Sequence, residues 1–304
     1  MTNDALLICV VGPTAIGKTR LAIELAQHYN TEILSADSRQ FFKEMEIGTA
    51  VPSAEELAAA PHHFIQHRSV EADYTVGDFE KEAIEKLESL FEKHRVAILV
   101  GGSGLYVDAV VRGLDEFPTI DPQVRKTLNE EFETNGIESL QKELKTVDKQ
   151  QFDRIDTENP RRLIRALEVY RSSGQPYSSF LRKHKTERAF RTIYIGLTAP
   201  RPIIYDRINR RVDLMMKQGL LQEVETLLPF KSTNALQTVG YRELFSYLEG
   251  TFTLDQAIEE IKKNTRRFAK RQGTWFRKNP DIQWFDYDEP TKHIIEHLHK
   301  KTRP

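Results

Sequence analysis

Six apolar residues, Leu6-Leu7-Ile8-Cys9-Val10-Val11, run straight into Gly12-Pro13-Thr14-Ala15-Ile16-Gly17-Lys18-Thr19, and Leu21, Ala22, Leu25 and Ala26 then recur at helical spacing. This order of strand, glycine-framed loop and helix constrains the fold more than any other feature. A loop bent at two glycines turns successive backbone N–H groups toward one point, and the helix behind it directs its positive end to the same place. Lys18 adds a point charge, and Thr19 a hydroxyl suited to a magnesium ion. Gly12, Pro13, Thr14, Ala15, Ile16, Gly17, Lys18 and Thr19 are therefore expected to cradle a diphosphate or triphosphate. The loop alone leaves open whether phosphorus is the atom attacked.

At 304 residues the chain is longer than one ordinary domain, and its 39% hydrophobic residues suffice for a real core. Lys and Arg number 44 against 45 Asp and Glu, so a nucleic-acid surface would have to be a local patch rather than a global charge. The single cysteine, Cys9, excludes an intramolecular disulfide and a cysteine-rich zinc module; its place in the first strand reads as apolar filling. No basic segment followed by an apolar stretch opens the chain, and no apolar run approaches membrane-spanning length. A soluble, cytoplasmic protein without a membrane partner is expected.

Glu32-Ile33-Leu34-Ser35 reads as a second buried strand and Val96-Ala97-Ile98-Leu99-Val100 as another, separated by a helical stretch from Asp78 to His94. Such alternation implies a parallel sheet with ligands at the carboxyl ends of its strands. From Asp115 to about Lys185 the pattern becomes helical without strands, with helices at Gln123 to Thr134, Ile137 to Leu144 and Pro160 to Ser173. Strand character returns at Thr192 to Leu197, a helix follows from about Pro202 to Gln218, and Ile282 to Phe285 could close the sheet. The expected fold is α/β: a P-loop NTPase-like parallel sheet flanked by helices, formed by residues 1–114 and 185–304, with an inserted all-helical subdomain over 115–184. His62 and His63, beside Pro61, read as surface residues of a loop or helix end.

Four further segments carry polar chemistry. The second strand ends in Ser35-Ala36-Asp37-Ser38-Arg39-Gln40, placing Asp37 beside the phosphate loop, where it could hold magnesium through water or accept a proton. The next strand ends in Gly101-Gly102-Ser103-Gly104-Leu105-Tyr106, whose glycines permit close approach and whose Ser103 could cap a helix. Pro160-Arg161-Arg162-Leu163-Ile164-Arg165 puts three arginines where a helix start prefers anions, a conflict that an RNA phosphate would resolve, as would pairing with Glu158 or Glu168. Gln237-Thr238-Val239-Gly240-Tyr241-Arg242 offers a ring and a guanidinium at a glycine turn. Between Ile261 and Lys278 lie Lys262, Lys263, Arg266, Arg267, Lys270, Arg271, Arg277 and Lys278 with no acidic residue. Ile258, Ile261, Thr265, Phe268 and Trp275 recur there at roughly helical spacing, so the segment is expected to bury that stripe and offer a basic face to a polyanion.

Taken together, the Gly12–Thr19 loop, Asp37-Ser38-Arg39-Gln40, Gly48-Thr49-Ala50, Gly101 to Tyr106, Arg162 to Val169, Val239-Gly240-Tyr241-Arg242 and Lys270-Arg271-Gln272 resemble bacterial tRNA dimethylallyltransferases along essentially the whole chain. The resemblance implies transfer of a dimethylallyl group from dimethylallyl diphosphate to N6 of the adenine 3′ of the anticodon in tRNA. It implies Asp37 as general base, with Lys18, Thr19 carrying Mg2+, Ser103 and Arg211 as the other catalytic groups. It further implies tRNA contacts from Asp37, Ser38, Arg39, Gln40 and Ser103, from Arg161, Arg162, Leu163, Ile164 and Arg165, and from Gln237, Thr238, Val239, Gly240, Tyr241 and Arg242. Lys270, Arg271, Gln272, Gly273, Thr274, Trp275, Phe276 and Arg277 complete that set, with the insertion clasping the anticodon stem-loop and the enzyme acting as a monomer. Three positions depart from the family pattern: Ile16 stands for a usual serine, Phe42 for a tyrosine, and Ser103 for a threonine. A small-molecule kinase or a prenyltransferase of free adenine nucleotides would share the loop; the first leaves the basic helix unexplained, and the arginine segments argue for a polymer substrate over the second.

Overall fold

The computed structural model describes residues 5–181 and 186–302. Two compact units form, one from residues up to Arg112 and from Glu187 onward, the other from Gly113–Thr186. The expected boundary at residues 184 and 185 lies outside the described residues.

The larger unit begins with β1 (Leu6–Val11), α1 (Lys18–Tyr29), β2 (Ile33–Ser35), α2 (Ala54–Ala59), β3 (His62–His63), α3 (Val76–Phe91), β4 (Val96–Gly101) and α4 (Gly104–Arg112). The smaller unit holds α5 (Pro122–Asn135), α6 (Ile137–Val147), α7 (Lys149–Phe152) and α8 (Pro160–Ser173). The larger unit resumes with β5 (Arg191–Thr198), α9 (Arg201–Gln218), α10 (Leu220–Thr226), α11 (Tyr241–Leu248), α12 (Leu254–Phe276), β6 (Ile282–Asp286) and α13 (Thr291–Thr302).

Its six strands are all parallel, in the order β3-β2-β4-β1-β5-β6. In β1, Leu7, Cys9 and Val11 enter one apolar core while Leu6, Ile8 and Val10 enter the other. A strand covered on both faces needs no polar side, which is why its sequence is an unbroken apolar run. Burial pushes the Cys9 thiol far above its ordinary range, with Asp108 adding to the effect, in keeping with an inert filling residue. Among the described residues no helix is long and apolar enough to cross a membrane.

His62 and His63 depart from expectation. They pair with Ile33 and Leu34 as the edge strand β3 and are half-buried. His63 Nε2 lies 2.5 Å from Glu32 Oε2, and His62 Nδ1 lies 2.8 Å from the Ala60 carbonyl oxygen. Two residues carry no periodicity, so the strand left no pattern to read.

The helical unit packs Leu128, Leu140, Leu144, Leu163, Ile164, Ala166 and Leu167 into its own core. Leu163 and Ile164 are therefore packing residues, which corrects their expected role as RNA contacts; Arg161 and Arg162, on the opposite face of α8, are exposed. Asn159 caps this helix by accepting from the Arg161 N–H, and Pro160 occupies its first turn. Arg165 is not a free cation: it donates to Glu168 at 2.6 Å, and Arg125 donates to the same buried carboxylate through Nε at 2.5 Å. The arginine conflict at the helix start is thus partly resolved inside the protein.

Candidate active site

The carboxyl ends of β1, β2 and β4 open into a cleft of about 940 Å³. Lys18, Thr19, Asp37 and Arg211 line it together with Thr14, Ala15, Ile16, Gln40 and Arg207. The remainder of its wall includes the apolar side chains of Val51, Pro52, Leu57, Leu214 and Met215. Every one of these residues belongs to the larger unit.

The loop geometry follows from its glycines. Gly12 has φ 140°, and a Cβ there would lie 2.6 Å from the Leu197 carbonyl oxygen of β5, so only glycine lets the loop leave the sheet at this point. Gly17 has φ 108° and caps α1 without a side chain, leaving the helix start open to an anion. Ala15 also adopts positive φ, at 62°, a conformation alanine disfavours. It is held there by Arg207, whose Nε donates to the Ala15 carbonyl oxygen at 2.7 Å. Ile16 is buried in the core beneath the loop, so its side chain substitutes packing for the serine hydroxyl of the family pattern.

Lys18 Nζ donates to the Pro13 carbonyl oxygen at 2.8 Å, curling back over its own loop. Desolvation lowers its pKa to about 8; Asp37 opposes that shift and Arg211 reinforces it. The Arg211 guanidinium is likewise held below its ordinary value, first by desolvation and then by Arg207, with Asp37 and Glu56 acting the other way. Two cations one helical turn apart on α9 therefore crowd toward the loop beside a third, Lys18. That concentration of positive charge is unfavourable until an anion enters, and it favours a ligand carrying more than one negative charge. Asp37, half-buried, accepts a hydrogen bond from the Arg39 N–H at 3.1 Å through Oδ1.

Ser38 and Ser103 meet across the strand ends. The Ser38 N–H donates to Ser103 Oγ at 3.3 Å, and the two hydroxyls lie 3.2 Å apart. The first turn of α4 is fastened instead by the Ser103 carbonyl, which accepts from the N–H groups of Tyr106 and Val107. Arg39 donates to the carbonyl oxygens of Asn234 and Ala235 at 2.8 and 3.0 Å, and Gln40 to those of Thr49 and Ala50 at 3.2 and 2.9 Å. These two expected RNA contacts are engaged in holding loops at the cleft.

The segment Gln237–Arg242 divides. Arg242 and Gln237 are exposed, whereas Gly240 and Tyr241 are buried, and the Tyr241 hydroxyl donates to Glu223 at 2.6 Å. Glu223 also accepts from the N–H groups of Glu46, Ile47 and Gly48 at 3.0, 2.7 and 3.0 Å. Tyr241 is thus a core anchor, its ring buried away from the surface where a tRNA contact was expected. Sequence reasoning missed Glu223 and Arg207. The first gives no local signal, because its partners lie in a distant loop; the second stands four residues before Arg211 on one helix, and that spacing could have revealed it.

On α12 the buried face consists of Ala257, Ile261, Ala269, Gln272, Gly273 and Phe276, while Phe268 and Trp275 are 38% and 44% exposed. The expected stripe through Phe268 and Trp275 follows one edge of the buried arc, whose centre turns with the helix toward Ala269 and Phe276. Gln272, Gly273 and Phe276 are therefore interior residues, correcting their expected RNA contact. The basic run also has counter-charges that its own sequence lacks: Lys262 pairs with Asp213 at 2.8 Å and Glu259 at 3.0 Å, and Lys263 pairs with Glu260. Arg266 donates to Asn209 Oδ1 at 2.7 Å. Arg267, Lys270, Arg271, Thr274, Arg277 and Lys278 form the exposed face.

For a divalent cation the cleft offers the Thr19 hydroxyl, a hard oxygen donor. Among the described residues no group of three or more His, Cys, Asp or Glu is arranged to hold a metal by itself. The donor set fits Mg2+ that takes the rest of its ligands from diphosphate oxygens and water.

The family model described as IPP transferase matches residues 40–279. A tRNA dimethylallyltransferase of Christiangramia forsetii is 59% identical over 97% of this chain and 98% of its own, and one of Flavobacterium johnsoniae is 60% identical over 96% of each. Among solved structures, the full-length tRNA isopentenylpyrophosphate transferase of Bacillus halodurans superposes with a TM-score of 0.73 at 36% identity, covering 98% of this chain and 97% of its own. A eukaryotic dimethylallyltransferase captured acting on tRNA superposes with a TM-score of 0.84 at 25% identity, covering 99% of this chain and 80% of its own. A cleft of this build, in a chain matched over most of its length and similar to such relatives nearly end to end, places the protein in the IPP transferase family.

Proposed function

We propose that the cleft transfers a dimethylallyl group from dimethylallyl diphosphate to N6 of the adenine next to the anticodon, on its 3′ side, in tRNA. The observation that carries this reading is the two-sided wall of the cleft. Loop N–H groups, Lys18, Arg207 and Arg211 suit a diphosphate, while Val51, Pro52, Leu57, Leu214 and Met215 suit a short hydrocarbon rather than a nucleoside and its polar sugar. The relatives from Christiangramia forsetii and Flavobacterium johnsoniae are named tRNA dimethylallyltransferases, in keeping with dimethylallyl transfer to tRNA.

An exocyclic adenine amine is a weak nucleophile because its lone pair is delocalised into the ring. Asp37 takes its proton as the nitrogen bonds to the allylic CH2 carbon that carries the diphosphate oxygen. The carbon–oxygen bond breaks, and diphosphate leaves with both electrons. Charge gathers on the departing oxygens, which Lys18, Arg207, Arg211 and the loop N–H groups stabilise, with Lys18 turning from the Pro13 carbonyl oxygen to the diphosphate. Mg2+ held by Thr19 would neutralise further charge on the diphosphate. Carbon, not phosphorus, is attacked. The Ser38 and Ser103 hydroxyls, 3.2 Å apart, are polar groups that could meet the incoming base.

The target base must leave the anticodon-loop stack, at a cost of a few kcal/mol that phosphate contacts elsewhere offset. Arg267, Lys270 and Arg271 on α12, Arg277 just past its end, Arg242 on α11, and Arg161 and Arg162 on the helical unit are exposed cations suited to those phosphates. Incubation with dimethylallyl diphosphate and unmodified tRNA, followed by mass analysis of the nucleosides, tests the reading. One dimethylallyl group gained on adenosine is expected; an unchanged adenosine pool would overturn it.

A further inference from the structure

Gln272 is a buried amide on a helix that otherwise turns cations to solvent, and it reaches the phosphate loop. Its Oε1 accepts from the Thr14 N–H at 2.8 Å, and its Nε2 donates to the Gly102 carbonyl oxygen at 3.0 Å. One side chain thereby bridges the loop after β1 and the turn after β4. The fit is close: a Cβ on Gly102 would lie 2.2 Å from Gln272 Nε2 and 3.6 Å from Lys18 Nζ, so that turn has room for the amide only as glycine. Lys270 and Arg271, both exposed, immediately precede Gln272 along the helix.

We infer that Gln272 is a positioning residue that couples occupation of the cationic face of α12 to the grip of the phosphate loop on diphosphate. A neutral amide can satisfy a donor and an acceptor at once without adding charge to a crowded cationic loop. Thr14 and Gly102 flank Lys18, so a small displacement of α12 moves the two backbone segments that set where the lysine stands. RNA phosphates drawn onto Lys270 and Arg271 fix the helix; Gln272 passes that constraint to the loop. The neighbouring Trp275 adds a second contact of α12 with the same turn, since its indole closes over Gly104 and donates to Asp108 at 2.9 Å. Coupling of this kind is reciprocal: diphosphate in the loop must tighten RNA binding by the same factor.

This inference rests on the reading of tRNA as substrate, and the experiment separates the two. Inorganic pyrophosphate binding is measured by calorimetry with and without a saturating anticodon stem-loop RNA, for the wild type, Gln272→Leu and Gln272→Asn. In the wild type the RNA is expected to tighten pyrophosphate binding by at least about fivefold. In both variants that ratio falls to within about twofold of one while RNA affinity measured alone stays within about threefold, since the cations are untouched. A wild-type ratio of one, or variants that keep the wild-type ratio, would overturn the coupling. So would loss of folding in both variants, which would make Gln272 a core residue and nothing more. Failure of the RNA to bind the wild type at all would instead overturn the substrate reading.

Discussion

Arg207 Nε donates to the carbonyl oxygen of Ala15 at 2.7 Å, clamping a non-glycine residue in the left-handed region at the crest of the phosphate loop. The same guanidinium lies 5.4 Å from the ring centroid of Tyr287, so it is held from two sides. It is at once the brace of the loop and part of its positive charge. Arg207→Leu is expected to lower kcat/KM for dimethylallyl diphosphate by about a hundredfold and to leave the KM for tRNA unchanged. Steady-state kinetics with each substrate varied in turn checks this.

Lys18 gives the cleft a pH dependence. Its pKa, lowered to about 8 mainly by desolvation, means that the cation proposed to grip diphosphate is present below that value and lost as pH rises through it. Pyrophosphate affinity of the free enzyme should fall between pH 7 and pH 9. Lys18→Arg keeps its charge over the whole range and should flatten the profile even if it binds more weakly. Calorimetric titrations at stepped pH decide the matter.

The charges on α12 are not equivalent. Lys262 is committed to Asp213 and Glu259, while Lys270 and Arg271 are exposed. Lys270→Ala with Arg271→Ala should weaken tRNA binding and make the salt slope shallower by roughly one to two. Lys262→Ala should leave the slope unchanged. Filter binding from low to moderate salt tests both at once.

Much of this arrangement was legible in the sequence for physical reasons. β1, α1, β4 and α8 announce themselves because a strand buried on both faces must be continuously apolar and a helix must repeat at its own period. The phosphate loop, Lys18 and Asp37 were legible because parallel topology forces strand ends together. What escaped were groups whose meaning depends on a distant partner. The acids opposing Lys262 come from another helix and an earlier turn; Leu163, Tyr241 and Gln272 stand inside segments that otherwise look like binding surface. Adjacency in a motif does not reveal which way a side chain points.

Glu223 is the clearest of these hidden residues. Its carboxylate accepts from the consecutive N–H groups of Glu46, Ile47 and Gly48 and from the Tyr241 hydroxyl, fastening the loop that carries Val51 and Pro52 to α10. Glu223→Ala leaves those donors without a partner and should cost about 2–4 kcal/mol of stability. Urea unfolding measures that loss, and a milder loss in Glu223→Gln would show that acceptor geometry carries part of it.

Asp37 carries the central claim, because the proposed reaction assigns it the proton and assigns the grip on diphosphate to the loop and its cations. Single-turnover transfer from dimethylallyl diphosphate to preloaded tRNA, compared between the wild type and Asp37→Ala, tests it directly. The predicted result is a rate lowered by about a hundredfold to ten-thousandfold with tRNA affinity within a few-fold of wild type. A variant that still transfers the group at near the wild-type rate would contradict the assignment of Asp37 as the base.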